Sequence, residues 1–237
     1  MALKAPVKET YERELTPEGS YQGVCYAVYD IGTRVSDYKG KERDQHEIVI
    51  IFELPSLRIE YDKDGEKLEG PRVISLRNTF SMSEKANLRK HMETWRGKSF
   101  TDLEAADFDF EKLVGANAII QVMHKTKNNG DVSAIIGSIT TPLKEMEPKK
   151  PENPKSFFSF YAPHVDDQGV HFPENMPEWV QNEIKESFEY KAIIHAREDL
   201  EKPTTGGLTE PPEPGGVVDQ KMTDVDELGE PDDELPF

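Results

Sequence analysis

The chain has 237 residues with 29 Lys plus Arg against 46 Asp plus Glu, a formal charge of −17, and that length holds one good-sized domain with extras or two small ones. Cys25 is the single cysteine, which excludes an intrachain disulfide and a thiolate zinc site. The opening residues lack an apolar leader core and no window approaches 18 uninterrupted apolar residues, so the chain reads as cytoplasmic, neither exported nor membrane-spanning.

In chain order, strand signals dominate the first two-thirds. Tyr21 to Tyr29 is rich in aromatic and β-branched residues, Ile48 to Leu54 is a nearly unbroken apolar run, and Arg72 to Phe80 alternates Ile74 and Leu76 with Ser75 and Arg77. Ala118 to His124 and Val132 to Thr140 are joined through Asn128-Asn129-Gly130, a hairpin signal. Between the third and fourth strands Ser81 and Glu84 have capping-box spacing, and Leu88, Met92 and Trp95 recur as a helical stripe that Gly97 ends. A shorter segment is opened by Thr101 and Glu104 and closed by Gly115. The order β-β-β-α-β-β is that of an OB-fold, a partly open five-stranded barrel that binds oligonucleotides on its strand 2 and 3 face and with its strand 1-2 and 4-5 loops. The expected fold class is therefore mainly β with α, with residues 1–146 as the OB-type domain.

Residues 147–202 begin with a proline-rich strap (Pro148, Pro151, Pro154) and continue as an aromatic and helical appendage. Phe157, Phe158, Phe160 and Tyr161 crowd together, and Pro177 opens a helix ahead of Val180, Ile184 and Phe188. Such a piece is too small for its own core and is expected to pack on the barrel or on a second subunit. Residues 203–237 contain ten acids and Lys221, so they carry −9, whereas residues 1–146 carry only −3 from 24 acids and 21 bases. The tail composition predicts disorder. The near balance of the first 146 residues leaves room for a local basic groove.

The chain closes on Asp232-Asp233-Glu234-Leu235-Pro236-Phe237, several carboxylates behind an apolar anchor with the terminal carboxylate on the Phe. This resembles the C-terminal tip of bacterial and phage single-stranded-DNA-binding proteins, with Glu234 and Leu235 as mild departures. The body is similar to phage-encoded members in Trp95-Arg96-Gly97-Lys98-Ser99-Phe100-Thr101, in Phe108 to Gly115 and in Pro177-Glu178-Trp179-Val180. The resemblance implies a core that coats single strands and a tip that recruits replication or recombination enzymes, without catalysis and without a cofactor.

Single-strand binding needs cations that follow phosphates and flat rings on which bases stack. Asp30 to Gln45, read as a long strand 1-2 loop, supplies Arg34, Tyr38, Lys39, Lys41 and Arg43; Lys125 and Lys127 sit in the strand 4-5 hairpin. Alternation places Arg77 on the open face of strand 3, with Tyr29 expected at the rim. Tyr38 is the favoured stacking ring, whereas Phe52, Phe80 and Trp95 fall in phase with core positions. Lys85, Arg89 and Arg96 lie where they extend a phosphate path or simply solvate the helix. Two rival functions are an acidic protein-interaction module or DNA mimic, and a metal-dependent nuclease using Asp107, Asp109 and Glu111.

Overall fold

The computed structural model describes residues 14–38, 40–63, 65–127 and 130–201. Five long strands form one antiparallel sheet: β1 (Gly19–Tyr38), β2 (Lys41–Lys63), β3 (Glu66–Thr79), β4 (Asn117–Thr126) and β5 (Val132–Thr140), in the order β3-β2-β1-β4-β5. The sheet curls into a half-barrel. Helix α1 (Asn87–Arg96) packs against β3 and β5, and α2 (Asp102–Ala106) and a 3-10 turn over Phe110–Leu113 lead back to β4.

The inner face of the curl is filled by Cys25, Val28, Ile48, Ile50, Phe52, Leu54, Ile120 and Ile139, closed by Leu88, Met92 and Trp95 of α1. The helical stripe read from the sequence is thus the plug of the half-barrel. Burial pushes the Cys25 thiol far up, so it behaves as a small hydrophobe. Gly97 ends α1 in the left-handed region, and Thr101 with Glu104 forms a full capping box on α2. The Ser81/Glu84 spacing, by contrast, does not cap α1. Ser81 Oγ accepts from the Ser83 amide in a turn, and the helix starts only after Ala86, which makes no side-chain cap.

The appendage packs on the other face of the same sheet. After the strap, β6 (Ser156–Phe158) pairs in parallel with Ala27–Tyr29 of β1, taking over the edge that β4 leaves after Val24. A small ribbon of β7 (Val165–Asp166) and β8 (Gly169–Val170) leads to α3 (Glu178–Lys185) and α4 (Phe188–Glu201). Phe158, Met176, Val180 and Ile184 bury themselves against Tyr26, Ala27, Tyr29, Ile31, Val49 and Ile51. Pro177 sits at the N-cap of α3, one position before the helix.

Two polar anchors hold this layer. The fully buried Glu53 carboxylate accepts from the amides of Glu152 and Asn153 (2.6 and 3.0 Å) and from Asn153 Nδ2 (2.7 Å), which offsets the cost of taking the charge out of water. At the other end Glu189 accepts from the Thr33 amide (2.7 Å) and hydroxyl (2.6 Å). Between them, Gly32 has φ +73° beside a register shift in β1, and a Cβ there would lie 2.6 Å from Ser187 Cβ and 2.7 Å from Glu189 Oε2. Only glycine satisfies both the backbone and the close approach of α4. Gly32→Val should therefore lower stability by about 2 to 4 kcal/mol, read as a drop in the thermal unfolding midpoint, from strain and an undocked α4 start combined.

Candidate nucleic-acid interface

The segment expected as a strand 1-2 loop is instead a β-ribbon. Arg34 pairs with Gln45, Val35 with Asp44, Ser36 with Arg43, Asp37 with Glu42 and Tyr38 with Lys41. Residues paired directly across an antiparallel ribbon share a face, and alternate residues share it too. One face therefore carries Arg34, Lys41, Arg43 and Gln45, and the other Asp37, Glu42 and Asp44 with the half-exposed Val35. A loop that looked charge-balanced in sequence is sorted by sign into two surfaces.

The basic face runs on into the outer surface of β3. Gln45 Nε2 donates to Thr79 Oγ1 (2.9 Å), and Arg77 lies beside Glu47 (3.8 Å), which also pairs with Arg34 (2.9 Å). Beyond Arg77 the outer positions of β3 are Ser75 and Val73, both exposed. The strip is thus a path from the ribbon along the edge strand. One group from the appendage interrupts it: Glu183 of α3 bonds Arg77 closely and lies 3.2 Å from Arg34. Two guanidinium groups and two carboxylates form a partly exposed cluster there.

The expected site residues separate into several locations. Arg34, Lys41, Arg43 and Arg77 come together on this strip. Lys125 and Lys127 are exposed in the β4-β5 hairpin, where Lys125 pairs with Ser133. That hairpin lies beyond the first residues of β1, since Gly19 pairs with Val122, whereas the ribbon extends from the last. The two cationic groups therefore flank the sheet at opposite ends. Tyr29 is not at a rim. It is fully buried beneath the appendage beside Ser156, and burial pushes its phenol up. Lys39, the side chain of Tyr38, and Asp232, Asp233, Glu234, Leu235, Pro236 and Phe237 lie outside the described residues.

Arg89 and Arg96 do not continue a phosphate path. Arg89 is buried and donates to the Met82 and Phe100 carbonyls, and it pairs with Glu93 and Asp102; Arg96 bonds Glu104 and stacks over Phe100. Lys85 precedes α1 in the turn. Asp109 caps the 3-10 turn through the Glu111 amide and pairs with Lys112, and Asp107 is the C-cap of α2. Among the described residues, no group of three or more His, Cys, Asp or Glu side chains is gathered as a metal ion would require.

Sequence reading missed the exposed rings next to this strip. Tyr61 on the β2-β3 ribbon and Trp179 on α3 are both about half exposed and line one open groove with Tyr26 and Val73. The only signal for Trp179 was its position out of phase with Val180 and Ile184. No family model, curated protein or solved structure matches the chain.

At the root of the ribbon His46 Nε2 meets Asp30 Oδ1 at 2.6 Å, and the same oxygen accepts from the Gly32 amide. The hydrogen bond to Asp30 raises the His46 pKa above its ordinary value, outweighing burial, with Glu189 adding to it. For Glu189, burial pushes up but the Thr33 bonds and nearby His46 outweigh it and hold the carboxyl below its usual range. The His46 contribution is thus fully present below pH 6.5 and is lost as pH rises through its raised folded value. The Glu189 contribution is present above its unfolded value and is lost as pH falls through the depressed one. Denaturant midpoints measured against pH should show the advantage of wild type over His46→Gln shrinking as pH rises above 6.5. A constant difference across that window would exclude the pair as a pH-dependent anchor.

Proposed function

We propose that the half-barrel is an OB-type fold and that the protein binds single-stranded DNA without base preference, as phage-encoded proteins of this kind do during replication and recombination. It performs no reaction. The observation that carries the reading is the sorted ribbon, whose Arg34, Lys41 and Arg43 face continues through Arg77 onto the exposed side of β3. Spacing cations along an edge strand suits a flexible polyanion, because each phosphate neutralised releases condensed counterions. The Lys125 and Lys127 hairpin at the opposite end of the sheet gives a strand that crosses it a second cationic bank.

On this reading Glu183 occupies a phosphate position. Its carboxylate meets Arg77 and Arg34 much as a phosphate oxygen would, and incoming DNA must displace it. The two sides of the strip are tested together by titrating labelled oligo(dT) against rising salt. Lys41→Glu with Arg43→Glu should weaken binding and reduce the salt slope by about 1.4, from 0.7 per lost contact on a single strand. Glu183→Gln should tighten binding by about 3- to 10-fold, the scale of releasing a partly exposed ion pair. Unchanged affinity in both variants would remove the strip from the interface, and a wild type that binds no oligonucleotide would end the reading.

The acidic tip, Asp232 to Phe237, is proposed to dock a replication or recombination enzyme, with Phe237 in an apolar pocket and its carboxylate on a cation. Truncation before Asp232 or Phe237→Ala should abolish capture of such an enzyme from lysate while leaving oligonucleotide affinity unchanged or slightly tighter. Identical capture by full-length and truncated baits would exclude the tip.

A further inference from the structure

An open groove of about 1140 Å³ is lined by the β2-β3 ribbon, by β3 from Arg72 to Ser75, by Leu15 and Thr16 ahead of β1, by Ala134 of β5 and by Pro177 and Trp179 at the start of α3. Small-molecule pockets are about 300 to 1,000 Å³ and largely enclosed, so this space suits a length of chain. Its rings are Tyr26, Tyr61 and Trp179.

We infer that this groove is a base-stacking subsite for the same single strand whose phosphates follow the ribbon and β3, with Trp179 and Tyr61 as its platforms. The inference rests on the single-strand-binding reading and names the groups that would hold the bases.

Both rings are partly covered and partly open to solvent. Tyr61 lies over Gly70, so closely that an added Cβ would be 3.1 Å from a ring carbon, and the residue is still 45% exposed. Trp179 is 44% exposed on a helix whose buried contacts are completed by Val180 and Ile184. The Trp95 indole donates to the Asn117 carbonyl at 2.8 Å, whereas among the described residues no hydrogen bond holds the Trp179 indole. Trp95 is buried and hydrogen-bonded within the core, whereas Trp179 leaves much of its ring at the surface.

Placement joins the groove to the phosphate path. Trp179 and Glu183 are four residues apart on α3 and share a face. Glu183 reaches Arg77, and Trp179 lines the groove alongside Val73 and Ser75, the next outward positions of β3. Helix α3 therefore forms one wall of a channel whose floor is β3. At the groove the cations are already paired, Arg58 with Glu69 and Glu152 and Arg72 with Glu14. What the groove offers a strand is exposed rings set among polar groups such as Thr16, Glu60 and Ser75, and a ring face selects bases; the ribbon offers charge, which selects phosphates.

The chain has two tryptophans, and Trp95 is buried, so a ligand-induced change in emission reports chiefly on Trp179. Full-length protein is titrated with oligo(dT), following tryptophan fluorescence and, in parallel, anisotropy of end-labelled oligonucleotide. Quenching in wild type that disappears in Trp179→Phe is expected, with Phe retaining most of the affinity as a smaller ring. Trp179→Ala and Tyr61→Ala should each weaken binding about 5- to 100-fold, the range for loss of one stacked base. Wild-type affinity in both alanine variants, with emission unmoved by a bound oligonucleotide, would overturn the groove while leaving single-strand binding in place. Emission quenched by an apolar peptide but not by DNA that binds would assign the groove to a protein partner and equally overturn it. Absence of any oligonucleotide binding would overturn both readings together.

Discussion

A strand that is apolar on both faces must be covered twice, and β1 is such a strand. Val24, Cys25, Tyr26, Ala27, Val28, Tyr29 and Ile31 are all buried, some into the curl of the half-barrel and the rest beneath the appendage. Each large side chain in that second layer contributes about 1.5 to 3 kcal/mol by leaving water, so residues 147–201 are needed to complete the sheet. β6 closes the edge of β1, Glu53 pins the strap, and Thr33 receives the start of α4. Such a cover is cooperative with the sheet because it shares backbone pairing with it as well as side-chain packing.

Covering β1 and the middle of β2 determines what surface remains for a ligand. In an open OB-type barrel the outer side of strands 2 and 3 is the binding floor, but here Val49 and Ile51 are covered by the appendage. On the proposed reading the floor that remains is the edge strand β3, extended at one end by the sorted ribbon and at the other by the groove that Trp179 lines. The cover also contributes to the surface it leaves open, since α3 sends Glu183 and Trp179 to its border. Packing of the appendage and the charge on the strip are therefore tied to one helix. The bulge at Asp30 and Gly32, which carries both the His46 contact and the seat of α4, ties the ribbon to the same unit.

Much of the half-barrel was legible in the sequence because its signals are local. The five apolar segments, the Gly97 stop and the Thr101/Glu104 box depend on neighbours a few residues away. The ribbon was missed because its period-two pattern is written in charge, not hydrophobicity: Lys41, Arg43 and Gln45 alternate with Glu42 and Asp44. Alternation of sign on a two-sided exposed ribbon is as much a strand pattern as alternation of polarity. Tyr29 is buried and not at a rim, as the unbroken apolar run from Val24 that ends on it implies burial on both faces. Trp179 was read only as part of a helix start, since nothing in one sequence tells which side of a helix its partner strand leaves uncovered.

A chain of charge −17 can attract a polyanion only if its acids are kept away from the path the polyanion takes. On the ribbon this is done by register: the turn uses Asp37 to accept from the Gly40 amide, and Glu42 and Asp44 project opposite Lys41 and Arg43. Screening then helps, because acids across a ribbon and beyond lie farther away, relative to a Debye length of about 8 Å, than a phosphate in contact. The acids that do lie on the strip, Glu47 and Glu183, hold Arg34 and Arg77 in place, which on the proposed reading lowers the cost of ordering long side chains on binding. Their cost is competition, and it falls chiefly on weakly placed anions. On the proposed reading a strand engaging the strip and the groove together gains from several contacts at once, whereas an isolated phosphate must displace Glu183 for a single one.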